Sequence, residues 1–357
     1  MSRLETQGRQ IGAFYGAADL LGTDFPEPRW AVEGLIPEGL TVLAGSPKLG
    51  KSWFTLGLGL AIASGGDALG KIGTRQGDVL VCALEDPPRR LKSRLVKLLD
   101  GQAAPERLSI VTELPPLLQA TDLIAEWLDE HPEARLVVID VLAKIRPPSS
   151  NAMSAYEADY RVIGELKRLA DLYGVAVVCV THVRKMAADD PFDQVAGSTG
   201  LTGAADATVV LRRTRNENGA ALHVTGRDVL ESEYAVTFNT ETCHWTLDGD
   251  SLTEAGQAAT VARVADGVGD KAAAILALLA KHPDGLGPTD VGRQLDLPAG
   301  NAGTYLQRLE QSGRVHKVGR GKYRLAPVES VESVEMSGGS VVPFPRITHF
   351  PHDHADD

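Results

Sequence analysis

The sequence predicts an α/β fold: a mainly parallel sheet covered by helices, an antiparallel extension at one side, and a small winged helix-turn-helix domain behind it. Three observations predict it. Short apolar runs without polar alternation recur between helical stretches, the pattern of parallel strands covered on both faces. Between 220 and 248 the runs shorten and close turns separate them, as in antiparallel pairing. From 270 to 326, three helical patterns are followed by two short strands around Gly319–Gly321.

The 357 residues suffice for two domains. Residues 1–39 form a lead-in punctuated by Pro26, Pro28 and Pro37. Residues 40–248 carry the sheet. Its expected strands are 40–44, 78–84, 108–111, 135–140, 175–181 and 207–211, with short strands at 222–225, 234–238 and 244–247. The intervening helices are 51–64, apolar or small nearly all round; 88–99, basic and amphipathic; 121–130; and 154–173. The last opens with Ser154 and Glu157 in capping-box spacing and closes before Gly174. Residues 249–268, rich in Gly, Ala and Asp, read as a linker, and 269–327 as the winged helix. Residues 328–357 cannot bury a core and read as a disordered tail. Its His349, His352 and His354 fit solvent better than a metal.

Composition excludes several classes. No apolar run approaches the ~18 residues of a membrane span, and the N-terminus lacks the apolar stretch of a secretory signal. The expectation is a cytoplasmic protein with no membrane partner. Cys82, Cys179 and Cys243 are far apart, and the first two sit in apolar strands, so they read as small buried hydrophobes. A net charge of −11 argues against nucleic acid over the whole surface but permits a local basic patch.

The chemistry concentrates at 45–52, Gly45-Ser46-Pro47-Lys48-Leu49-Gly50-Lys51-Ser52, with Trp53 following. This is a phosphate-binding loop between a strand and a helix. Gly45 and Gly50 let main-chain N–H groups wrap phosphates, Lys51 reaches the β- and γ-phosphates, and Ser52 places its hydroxyl on Mg²⁺. The N-terminal end of the next helix faces the anion. ATP and Mg²⁺ are the expected ligands. Asp140, closing an apolar strand, is the acid expected to hold Mg²⁺ through water. Glu85 follows strand 78–84 on the ligand side of the sheet; it either polarises the attacking water or, with Asp86, caps the helix after Pro87 and Pro88. His182 ends strand 175–181 and is either a γ-phosphate sensor or an ordinary satisfied polar residue.

These residues resemble a family. Pro37-Glu-Gly-Leu-Thr-Val-Leu-Ala-Gly-Ser-Pro-Lys-Leu-Gly-Lys-Ser-Trp is similar to the opening of the RepA-like, RecA/DnaB-type ATPases of plasmids, phages and bacterial chromosomes, within the AAA family ATPase group. Leu84-Glu-Asp, Val138-Ile-Asp, Thr181-His-Val-Arg-Lys, Gly197–Asp206 and Val224-Thr-Gly-Arg-Asp follow in the family's order, over about 20–248. The resemblance implies a RecA-like P-loop NTPase fold and an ATP-hydrolysing, DNA-binding oligomer, a ring such as a hexamer. It further implies a helicase-like motor or loader in DNA replication or mobile-element maintenance; the alternative is an ATP-switched initiator or regulator without unwinding. By the same resemblance Glu85 is the catalytic glutamate and Asp140 the Walker B acid. His182 couples nucleotide state to the nucleic-acid loops, and Arg227 is an arginine finger acting on a neighbouring subunit's ATP. A surface ion pair is the other reading of Arg227. The loop after His182 departs from the family: Arg184 and Lys185 fit phosphate contact, whereas Asp189, Asp190 and Asp193 do not, and this argues against strand translocation.

The winged helix supplies a second DNA surface. Helix 299–311 would enter the major groove, with Gln307 and Arg308 positioned for contact and Asn301 and Thr304 touching bases or capping. The hairpin carries Arg314, Lys317, Arg320, Lys322 and Arg324 with no acid among them. A winged helix used for protein contact is the alternative.

Overall fold

The structure, a computed structural model, describes residues 16–24, 27–146, 155–183, 190–195, 203–213, 218–265, 267–319 and 321–326. A short helix α1 (Ala17–Leu21) and a hairpin of β1 (Trp30–Val32) and β2 (Ile36–Pro37) lead into β3 (Gly39–Gly45), whose residues are all buried. There follow α2 (Lys51–Ser64), a small hairpin β4 (Asp67–Ala68) and β5 (Ile72–Gly73), β6 (Asp78–Ala83), α3 (Pro88–Leu99), β7 (Leu108–Val111) and α4 (Leu117–Glu130). Next come β8 (Ala134–Asp140), α5 (Ala155–Tyr173), β9 (Ala176–His182), β10 (Ala207–Arg213), β11 (Gly219–Gly226), β12 (Ser232–Phe238) and β13 (Trp245–Leu247).

One nine-stranded sheet runs in the order β13-β12-β11-β10-β3-β9-β8-β6-β7. From β10 to β7 every neighbour is parallel; from β10 to β13 every neighbour is antiparallel. The parallel strands send alternate residues to two cores. Leu43, Val138 and Val180 meet Phe54, Leu58 and Ile62 of α2 on one face. Val42, Ile139 and Val177 meet Ile124 of α4 and Ile163 and Leu166 of α5 on the other. Burial on both faces explains why these strands lack polar alternation. It also pushes the Cys82 thiol up to about 12, and Cys179 upward too, as fits small hydrophobes inside a sheet.

Register aligns the strand ends that carry chemistry. Gly45 pairs with His182 and Ala83 with Asp140, so the ends of β3, β9, β6 and β8 form one carboxyl edge.

The expected linker contains a helix, α6 (Leu252–Val264). Ser251 Oγ accepts Glu254 N–H at 3.2 Å and caps the helix, and Glu254 Oε2 reaches back to accept Asp250 N–H at 2.9 Å, one residue before the cap. Ala255 and Ala259 are buried, and Gly256 lies against Glu233 and Tyr234 of β12. The small residues that suggested a loose linker permit close packing.

Behind α6 stand α7 (Asp270–Ala280), α8 (Pro288–Gln294), α9 (Ala299–Gln311), β14 (Val315–Gly319) and β15 (Lys322–Leu325). Ile275, Leu276, Val291, Leu306 and Leu309 are buried in their common core. β14 and β15 form an antiparallel wing, and Leu286 bridges to Tyr323 at its base. Arg184, Lys185 and Arg320 lie outside the described residues, as do Asp189 and the expected tail 328–357.

Candidate nucleotide site and helix-turn-helix

The loop after β3 turns through two left-handed residues, Lys48 (φ 67°) and Gly50 (φ 99°). Gly50 has a second reason to be glycine: a Cβ there would stand 3.3 Å from the Trp245 ring. Trp245 Nε1–H donates to Gly50 O at 3.1 Å, so β13 props the loop from beneath. The sequence carried no signal of this contact, which joins residues 195 positions apart.

Lys51 opens α2 and is buried. Its ammonium donates to Gly45 O at 2.7 Å and to Ser46 O at 3.0 Å, and stands 3.2 Å from His182 Nδ1. Burial pulls the ammonium down to about 8, while Asp140 and Glu85 pull it back up. His182 is thus in contact with the loop lysine.

Asp140 is buried at the end of β8, beside the Ser52 hydroxyl. Burial raises its carboxyl above the usual range, the nearby Ser52 hydroxyl opposes that rise, and Glu85 and Asp86 add to it. Carboxylates crowded around a hydroxyl make a hard-oxygen donor set that a divalent cation suits. Among the described residues no group of three or more His, Cys, Asp or Glu could hold a metal by itself. Mg²⁺ held by one hydroxyl, one carboxylate and phosphate oxygens fits that arrangement. Glu85 is exposed at the same edge, one residue beyond Leu84, whose N–H donates to Asp140 O at 2.7 Å.

Asp86 does not cap α3. It is buried and accepts from Arg90 at 3.0 Å and from Arg94. Pairing with two guanidiniums offsets burial more strongly than a cap would. Arg94 also covers the Trp53 ring, 5.2 Å from its centroid, and Trp53 packs with Leu56, Leu60 and Leu98. Trp53 therefore takes part in the α2–α3 contact.

Arg227 lies at the other end of the sheet. It follows Gly226, which pairs with Ala207, whereas Gly45 pairs with Leu211. From Asp206 to Leu211 is five steps, about 17 Å at ~3.3 Å per residue, too far for Arg227 to reach its own loop. Its N–H donates to Asp206 O at 2.8 Å and its guanidinium stands 3.6 Å from Asp206 Oδ1. Asp206 Oδ2 accepts Leu40 N–H at 2.8 Å and meets Lys167 Nζ at 3.0 Å.

On α9, Asn301, Thr304, Gln307 and Arg308 are exposed, and the Thr304 hydroxyl donates back to Gly300 O at 3.0 Å. On the wing, Lys317, Lys322 and Arg324 are exposed. Lys317 Nζ lies 3.5 Å from Glu310 and 5.3 Å from the Tyr323 ring centroid, and Arg324 donates to His316 Nε2 at 2.6 Å. Arg314 is half-buried and donates from Nε to Val264 O at 2.8 Å, closing the end of α6.

Residues 15–188 match the family model of an AAA domain, and residues 270–319 that of an IclR helix-turn-helix domain. The chain joins an AAA domain to an IclR-type helix-turn-helix. The chain resembles a solved ATPase domain at 16% identity, with a TM-score of 0.50, over 59% of this chain and 85% of that one. That likeness shows a RecA-like fold. Weaker likenesses are a DnaB-like replicative helicase, solved for its interactions with primase (16%, TM-score 0.49, 58% and 57% covered), and the RadB recombinase (17%, 0.44, 60% and 93%). No curated protein matches the sequence. Among the described residues, no helix is long and apolar enough to cross a membrane.

Proposed function

We propose that the protein is an ATP-hydrolysing, DNA-binding oligomer of RecA/DnaB type, acting as a motor or loader in DNA replication or mobile-element maintenance. The observation that carries the reading is the meeting of Lys51, Ser52, Glu85, Asp140 and His182 at one carboxyl edge. Lys51 brings positive charge to the phosphates. Ser52 Oγ, and the Asp140 carboxylate through water, would hold Mg²⁺, which would neutralise charge on the phosphates. Glu85, exposed and beside both, takes the proton of the attacking water. His182 touches Lys51 at the root of the chain's next loop and carries the state of the site toward it. Arg227, remote from its own loop, serves the site of an adjoining subunit, which requires head-to-tail assembly.

A second reading has its own observation. The exposed stripe of α9 is mostly uncharged and polar, with Asn301, Thr304 and Gln307 beside Arg308. Such groups suit base edges, and an ATP-switched initiator or regulator that reads a site would use them. A strand-displacement assay separates the two. ATP-dependent unwinding that Lys51→Ala abolishes supports the motor. Tight binding of one duplex sequence without unwinding supports the regulator.

A further inference from the structure

We propose that α3 is a second DNA-binding surface, separate from the helix-turn-helix and attached to the nucleotide site; the proposal rests on the DNA-dependent ATPase reading above. The helix carries Arg89, Arg90, Lys92, Arg94 and Lys97 and no acid, in a chain of net charge −11. Its apolar side is spent on the protein: Leu91 and Leu98 are buried, and Leu95 and Leu99 pack in the cluster of Leu98. Arg90 and Arg94 are tied to Asp86. Arg89, Lys92 and Lys97 are exposed, together with Ser93 and Val96, and form no ion pair among the described residues; Lys97 Nζ donates to Cys243 Sγ at 3.9 Å. Arg89 to Lys97 spans about 12 Å of helix at ~1.5 Å per residue.

Fold stability does not call for three cations without an acidic partner on one helix, and Arg89 and Lys92, one turn apart, repel. A polyanion relieves that repulsion. The face presents only cations, a hydroxyl and a methyl-bearing side chain, so it suits the phosphodiester backbone without reading bases. Its position gives binding a consequence. The helix begins three residues after Glu85, and Arg94 bridges Asp86 to Trp53, the neighbour of Ser52. A strand lying on α3 therefore presses on the segment that holds the candidate water-activating carboxylate.

The test uses the full chain and an oligo-dT strand. Arg89→Gln, Lys92→Gln and Lys97→Gln are combined; none belongs to the nucleotide site, so basal ATP hydrolysis reports folding. The expected result is weaker binding whose log–log salt slope is shallower by about 2, at ~0.7 per phosphate for three lost contacts, with basal hydrolysis kept and its stimulation by oligo-dT reduced. Lys92→Arg alone keeps the charge and is expected to bind as the unaltered chain does. Binding, slope and stimulation all unchanged in the triple variant overturn the role of α3 alone. No binding of oligo-dT by the unaltered chain overturns it as well, and removes the single-strand part of the reading on which it rests.

Discussion

Asp206 holds Arg227 by main chain and side chain at once: Arg227 N–H donates to Asp206 O at 2.8 Å, and the guanidinium stands 3.6 Å from Oδ1. The same carboxylate accepts Leu40 N–H and meets Lys167, so one buried acid ties the start of β3, helix α5 and Arg227 together. Gly39 leaves no room for a Cβ beside it. Asp206→Ala should cost about 2–4 kcal/mol, because the buried Leu40 N–H loses its acceptor and half-buried Lys167 loses one of its two carboxylates, keeping Asp171. Arg227→Ala should cost under about 1 kcal/mol, its guanidinium being largely exposed. Urea unfolding of both variants measures the difference, and equal costs would contradict this division.

Arg227 sits about 17 Å along the sheet from its own loop. If it serves the adjoining subunit, Arg227→Ala and Lys51→Ala chains should each lose ATPase, and their mixture should regain part of it. The Arg227→Ala subunit keeps an intact loop, and the Lys51→Ala subunit keeps an intact arginine. Mixed assemblies with no recovery at any ratio would remove Arg227 from catalysis.

Glu85→Gln should lower kcat by about 10²–10⁴, the usual contribution of a positioned base, with ATP affinity little changed. Nucleotide binding by fluorescence and turnover on the same preparation separate the two effects. A Glu85→Gln chain with normal turnover would assign proton removal to another group.

Most of the fold was legible in sequence because period and punctuation carried it. Both-face burial gave the parallel strands their unbroken apolar runs, and the helix ending at Tyr173 closes at Gly174 as expected. The loop at 45–52 was legible because its glycines, lysine and serine are needed in that order for phosphate binding. What stayed hidden depends on contacts between distant residues. Trp245 beneath Gly50, Asp206 beneath Leu40 and Arg94 on Asp86 leave no local pattern. Helix α6 was misjudged for a different reason: its Gly and Ala content was read as looseness, although Ser251 and Glu254 stood in capping-box spacing.

His223 supplies a pH dependence of stability. Burial, with Arg212 and Arg263 nearby, lowers its imidazole from 6.5 to about 4, against a small opposing pull from Asp190. Between those values the unfolded chain binds the proton and the folded chain does not. Stability is therefore full above about 6.5 and drains as pH falls toward 4. His223→Gln should flatten that decline relative to the unaltered chain in urea titrations at stepped pH. Identical slopes would show that the imidazole titrates alike in both states.

On the proposed function, the site built on Lys51, Glu85 and Asp140 hydrolyses ATP under the control of DNA. Steady-state ATP hydrolysis with and without single-stranded DNA tests it most directly. The expected result is Mg²⁺-dependent turnover, abolished by Lys51→Ala and raised several-fold by the strand. Turnover indifferent to DNA would contradict the coupling, and no turnover under either condition would contradict the hydrolytic site.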